Sequence, residues 1–266
     1  MKNIINRNVA DIRENPEPRS TRINQLLLNM RCNIIEEKGD WLKVESPDKC
    51  EGWVRKYYFS QDEKEEELNM KVKKLVVPVY KAGNDKKLFG KLFFDTRIGG
   101  RKKGNFLTFK WPGNREKVKV KIDYLEEIEE ETELDDMIRI SKYFMGSPYL
   151  WGGITPFGLD CSGFVQRLYH YIGLDLPRNS IQQRNYGTTL EINKLQQDLD
   201  NLKQGDLINF DGHVGLSLGG SVMIHSCSRY NGVVITDLYS GDEYSNHLLD
   251  EFISASRVID VSTPNK

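Results

Sequence analysis

Cysteine is scarce in this chain: four in 266 residues, at positions 32, 50, 161 and 227. That is too few for a disulfide framework and fits a reducing compartment. Histidine is as scarce, at 170, 213, 225 and 247. No C-x-x-C or H-x₃-H pair gathers ligands into a compact metal module, so no metal and no cofactor is expected. Nowhere do about 18 uncharged apolar residues run together, so no membrane-spanning helix is expected. The amino terminus, "MKNIINRNVADIREN", lacks an apolar stretch of the length a signal peptide needs. These absences lead to the expectation of a cytoplasmic protein, a monomer by default, with neither membrane nor nucleic-acid partner.

Net charge is nearly absent too, at −1, yet charge is strongly segregated along the chain. Residues 71–121 hold 16 Lys/Arg against Asp85, Asp95 and Glu116, whereas "IDYLEEIEEETELDD" at 122–136 holds nine acidic residues and no basic one. Such a basic segment suits an anionic polymer or, more simply, a solvated strand surface facing an acidic neighbour in the same molecule. Periodicity divides the chain further. Residues 1–60 alternate in short runs such as "GDWLKVES" and "EGWVRKYYF", the pattern of a small antiparallel barrel. A charged stretch at 61–70 reads as a linker. Alternation returns at 71–126, with Gly-Gly at 99–100 and Pro-Gly at 112–113 as turns, for a second β unit. From 127 to 266 the pattern is helices followed by strands, an α+β domain. Thr132 and Asp135 make a capping-box-like start to a helix whose apolar stripe runs from Leu134 to Met145 and stops at Gly146.

The stretch "GLDCSGFVQ" at 158–166 places Cys161 behind an aspartate, at the start of a helical stripe made by Phe164, Val165, Leu168 and Ile172. Unpaired backbone N–H groups and the helix dipole favour a thiolate there. A lone helical cysteine is otherwise a small buried hydrophobe. A nucleophile also needs a base and a group that orients the base. In "HVGLSLG" strand alternation puts His213, Gly215 and Ser217 on one face; in the next run Met223, His225 and Cys227 share a face. A hairpin about the Gly-Gly at 219–220 brings the two imidazoles onto adjacent strands, within hydrogen-bonding reach. His213 would then take the thiol proton and His225 would hold its ring in the useful tautomer. Cys227, two residues beyond His225, is either a core thiol or a disulfide partner of Cys161 under oxidation.

Four blocks, "GSPYLWGGITPFGLDCSGFVQRLY", "LPRNSIQQ", "GDLINFDGHVGLSLGG" and "VMIHSCS", together resemble the NlpC/p60 cysteine peptidases, papain-like enzymes that cut bacterial cell-wall peptides. The resemblance implies Cys161 as nucleophile, His213 as base and His225 as third polar member, acting without metal. It also implies pocket roles for Tyr149 and Trp151, with Tyr149 at the oxyanion beside the Cys161 backbone N–H. Asp160 is implied as partner of the substrate ammonium, a position that also suits a helix N-cap. Ser162 and Ser180 are implied at the D-glutamyl carboxylate, although Ser180 with Gln183 also reads as a capping box. "EEKGDWLKV…EGWV" resembles a bacterial SH3-type domain, and 71–124 resembles a diverged second copy. This arrangement is similar to that of intracellular γ-D-glutamyl-L-diamino acid endopeptidases, which accept short murein peptides with a free amino-terminal L-Ala. By the same resemblance Tyr57 or its neighbour Tyr58, with Tyr57 preferred, meets the substrate amine. A cell-wall amidase or acyltransferase with the same triad, and a basic wall-polymer-binding module, are the alternatives.

Overall fold

The computed structural model describes residues 3–60, 67–114, 117–128, 134–192 and 198–259. Residues 61–66 of the expected 61–70 linker and the expected cap at Thr132 lie outside these residues, and Met70 already belongs to a strand. Strands dominate and helices are few. The chain divides into two compact units, 1–130 and 131–266.

The first unit is built from alternating strands. One five-stranded antiparallel sheet runs in the order 22–27, 9–13, 51–55, 41–45, 33–38, and a short ladder pairs 4–5 with 59–60. Ile5, Ile12, Leu26, Val44 and Val54 turn inward to one core. A second five-stranded sheet, in the order 84–93, 76–81, 117–121, 106–110, 101–103, sits with a three-stranded one of 97–98, 70–72 and 125–127. Val77, Val79, Leu92, Leu107, Phe109, Val118 and Val120 form its core. The two expected barrels do not appear as closed barrels: among the described residues each long ladder ends in two strands that do not pair with each other. The Gly-Gly at 99–100 is likewise no turn but the link carrying the chain from the three-stranded sheet into the five-stranded one. The turn at Pro112-Gly113 is present, with Gly113 at φ +71° and the Asn114 N–H returning to the Trp111 carbonyl at 2.9 Å.

The basic segment follows from the same alternation. In Lys117–Lys121 the valines face the core while Lys117 and Lys121 are exposed and Lys119 lies over the Phe106 ring, 4.5 Å from its centroid. Two acids of the 122–136 run, Glu126 and Glu127, pair with Lys71 at 3.4 Å and Lys102 at 2.6 Å. Part of the charge segregation is therefore compensated inside this unit.

Among its described residues the second unit has a six-stranded antiparallel sheet in the order 188–190, 252–257, 207–210, 213–219, 222–227, 232–237, with four α-helices. These are α1 (Leu134–Ser141), α2 (Cys161–Tyr171), α3 (Ser180–Gln183) and α4 (Glu243–Asp250). The stripe predicted from Leu134 ends earlier as an α-helix. It tightens into a 3₁₀ turn at Lys142–Phe144, and Met145 is exposed rather than packed. Helix α2 packs on the central strands, and its Phe164, Val165 and Leu168 are fully buried, each contributing about 1.5–3 kcal/mol of transfer free energy. Gly173, at φ +88° just beyond the helix, ends it in a left-handed conformation that favours glycine. Among the described residues no helix is long and apolar enough to cross a membrane.

Candidate active site

Helix α2 begins at the cysteine because Asp160 caps it. The Asp160 Oδ1 accepts the Gly163 backbone N–H at 2.7 Å, satisfying one of the orphan donors of the first turn. The same carboxylate is held by Arg178 in a fork: Nη1 donates to Oδ1 at 3.0 Å and Nη2 to Oδ2 at 2.7 Å. Oδ2 also accepts the Gly152 N–H at 2.9 Å. Both members of this ion pair are buried, which is tolerable only because the charges satisfy each other in a bidentate geometry. Asp160 thus clamps the 152–153 turn, the α2 start and the 178 segment around the thiol. One of these bonds, from the Gly163 N–H, is that of the N-cap that its position suggested.

Cys161 is buried, at 7% exposure. Burial and then the neighbouring Asp160 charge push its thiol up to about 11, while the backbone N–H groups of Val214 and Ser162 and the Arg178 charge act in the opposite direction. Those two N–H groups point at the sulfur, and Val214 is the residue after His213. The ladder between strands 213–219 and 222–227 is paired from Leu216↔Ile224 to Gly219↔Val222, so the cysteine meets the first strand beyond that ladder.

The two imidazoles meet as alternation predicted. His213 Nε2 lies 2.7 Å from His225 Nδ1, with ring centroids 4.9 Å apart and planes 73° apart. His213 is half-buried at the start of its strand, whereas His225 is fully buried. Burial lowers His213 to about 4, and burial together with the adjacent His213 takes His225 well below its ordinary value. His225 Nε2 is 2.9 Å from Thr236 Oγ1, and its ring lies parallel to Tyr244 of α4, centroids 6.1 Å apart. Burial thus pushes the thiol up and both imidazoles down.

The other expected residues divide. Tyr149 is half-buried, and its hydroxyl is pushed up to about 12 by burial and then by the Cys161 charge. Ser162 is buried; its Oγ accepts Arg178 Nη1 at 3.0 Å. Trp151 is exposed at 62% in the loop ahead of the cysteine. Ser180 opens α3 but is not its cap: Asn179 holds that position. The expected capping box is absent because the Gln183 amide reaches instead to the carbonyls of Ser162, at 3.0 Å, and Pro177, at 2.8 Å. Tyr57 belongs to the first unit, where it is exposed and stands edge-on to Tyr58, centroids 4.8 Å apart. Cys161 and Cys227 are both free thiols. Among the described residues no trio of His, Cys, Asp or Glu converges as metal ligands do.

Arg178, Thr236 and Tyr244 were not singled out from the sequence. Arg178 lies inside the quoted "LPRNSIQQ" block, but nothing in one chain says that a lone arginine is buried. Thr236 offers a fainter signal, as a hydroxyl within the otherwise apolar "GVVIT" run.

Comparison with known proteins agrees with this arrangement. Residues 146–251 match the NlpC/P60 family and residues 8–60 match the bacterial SH3 domain. The chain is 27% identical over 231 residues to a gamma-D-glutamyl-L-lysine dipeptidyl-peptidase of Bacillus subtilis (strain 168), covering 80% of this chain and 75% of that one. It is also 27% identical over 239 residues to the Bacillus cereus (strain ATCC 10987) protein of the same name, covering 80% and 70%. A solved NlpC/P60 family protein from Bacillus cereus ATCC 10987 superposes with a TM-score of 0.84 at 22% identity, over 98% of this chain and 100% of that one. That likeness establishes a shared fold.

Proposed function

We propose that this chain, a cysteine peptidase with an NlpC/P60 domain behind a bacterial SH3 domain, hydrolyses the γ-D-glutamyl-diamino acid bond of short murein peptides that carry a free amino-terminal L-Ala. In this reading residues 127–266 form an α+β, papain-like catalytic domain, 1–60 and 71–126 are SH3-like domains joined by 61–70, and the task is recycling of wall peptides in the cytoplasm. The observation that carries it is the imidazole pair, 2.7 Å apart, with the residue next to His213 donating its backbone N–H to the Cys161 sulfur.

As His213 takes the thiol proton, the sulfur attacks the γ-glutamyl carbonyl carbon. The carbonyl oxygen becomes an oxyanion facing the Cys161 backbone N–H and the Tyr149 hydroxyl. The tetrahedral adduct collapses, the carbon–nitrogen bond breaks, and His213 returns the proton to the departing amine of the diamino acid. Water, deprotonated by the same ring, then releases the dipeptide and restores the thiol. His225 keeps His213 oriented throughout. Trp151 walls the pocket, Ser162 and Ser180 take the glutamyl carboxylate, and Asp160 presents negative charge to the ammonium through a carboxylate already clamped by Arg178. The same reading gives Tyr57 a contact with the amine.

The test is mass spectrometry of products from L-Ala-γ-D-Glu-diamino acid peptides with free and acetylated amino termini. The expected products are L-Ala-D-Glu and the free diamino acid from the unblocked peptide alone, lost in Cys161→Ala and after iodoacetamide. Tyr57→Phe should narrow the preference for the free amine. Cleavage elsewhere, or undiminished cleavage by Cys161→Ala, would refute the assignment.

A further inference from the structure

The histidine pair does not end at His225. Its Nε2 stands 2.9 Å from Thr236 Oγ1 on the neighbouring strand, and that hydroxyl is buried. In the pairing of strands 222–227 and 232–237, His225 is opposite Val234 and Met223 is opposite Thr236. Thr236 is thus the diagonal neighbour of His225 on the same face, within reach of a ring. Tyr244 covers the ring from α4, and His213 occupies the other nitrogen. The Thr236 hydroxyl therefore faces Nε2, the one polar edge of His225 that His213 leaves.

The direction of hydrogen bonding along this row determines whether His213 can act as a base. One proton lies between the two rings. If His213 Nε2–H donates to His225 Nδ1, then His213 Nδ1 keeps its lone pair and can accept the thiol proton. His225 is then protonated on Nε2, and that N–H needs an acceptor. If the row runs the other way, His213 is protonated on Nδ1 and has nothing to offer the thiol. A buried N–H without an acceptor costs about 1–3 kcal/mol, whereas a buried ring nitrogen lone pair without a donor is better tolerated. Removing the acceptor at 236 thus favours the unproductive direction.

We infer that Thr236 is a positioning residue of the peptidase: its hydroxyl accepts the His225 Nε2–H and so holds both imidazoles in the tautomer that leaves His213 Nδ1 free to serve Cys161. The inference rests on the proposed role of His213 as base. A neutral hydroxyl completes the row without adding a charge, so the relay closes uncharged where an aspartate would end it with a buried anion.

The experiment is long-range ¹H–¹⁵N correlation NMR of the imidazoles in the full chain, with signals assigned by His→Gln replacement, alongside kcat/KM for a γ-D-glutamyl peptide. The wild type should show neutral rings with the proton on Nε2 of both His213 and His225. Thr236→Val, nearly the same shape, should move the proton to Nδ1 and lower kcat roughly 10- to 100-fold, part of the 10²–10⁴ or so that a placed general base supplies, with little change in KM. Thr236→Ser should restore tautomer and rate. A wild-type His225 protonated on Nδ1 would overturn the inference even if the valine variant failed to fold. So would a folded Thr236→Val with unaltered tautomers and rate. Should Cys161→Ala or His213→Ala leave hydrolysis intact, the peptidase reading itself would fall, a result distinct from either outcome at 236.

Discussion

A thiol at a helix N-terminus is ordinarily expected to ionise early, and at Cys161 burial outweighs that expectation. Two backbone N–H groups and Arg178 favour the thiolate, but lost hydration and the Asp160 carboxylate oppose them more strongly, and the thiol moves up to about 11. The His213 imidazole, lowered to about 4, is neutral at pH 7. In the proposed reaction, proton transfer then accompanies attack on the substrate rather than preceding it. Alkylation of Cys161 by iodoacetamide, followed by mass spectrometry of its tryptic peptide, should accelerate steadily from pH 7 to pH 10. A rate already level by pH 6 would reveal a preformed thiolate–imidazolium pair and contradict this balance. The residues proposed to carry this chemistry were readable as types and spacings: a cysteine after Asp160, and two histidines on like faces of neighbouring strands. Arg178 was not, because its importance comes from who surrounds it.

Among the elements, the start of α2 depends on close backbone approach. A Cβ built on Gly163 would stand 2.4 Å from the Gly153 carbonyl oxygen and 2.8 Å from Asp160 Oδ1, and backbone of a turn held by the Asp160 clamp cannot yield cheaply. Gly163→Ala should therefore destabilise by about 1–3 kcal/mol, as overpacking does, and reduce turnover by displacing the cysteine two residues earlier. Urea denaturation and kcat measured together check this; a variant with wild-type stability and rate would refute it. The helix itself was legible from the apolar stripe and the cap at Asp160. The capping box at Ser180 was misleading, since S-x-x-Q is a local pattern and Gln183 found better partners in the carbonyls of Ser162 and Pro177. Closure of the barrels is not seen among the described residues for a related reason: alternation predicts strands and inward faces, but closure depends on which edges pair.

At the scale of the whole molecule, the buried histidines couple the site to stability. The folded His213 ring is lowered from 6.5 to about 4, and His225 moves the same way. Below pH 6.5 the unfolded chain takes up protons that the folded rings refuse. The contribution of His213 is complete above pH 6.5, falls as the pH drops through the window, and for that ring is exhausted near pH 4. Melting temperature should therefore fall more between pH 7 and pH 5 in the wild type than in His213→Gln; equal falls would show that the ring does not titrate as described. Charge segregation, prominent in composition, is met in part on this scale by pairs such as Lys102–Glu127.

Periodicity and residue type alone determined the strands around His213 and His225, the like faces those two residues occupy and the helix that begins at Cys161, because strand and helix periods depend on nearest neighbours along the chain. Only the tertiary structure decided that Arg178 clamps Asp160, that Thr236 meets the second imidazole and that burial pushes the thiol up. Those facts depend on contacts between segments far apart in sequence, and on solvent being excluded where they meet.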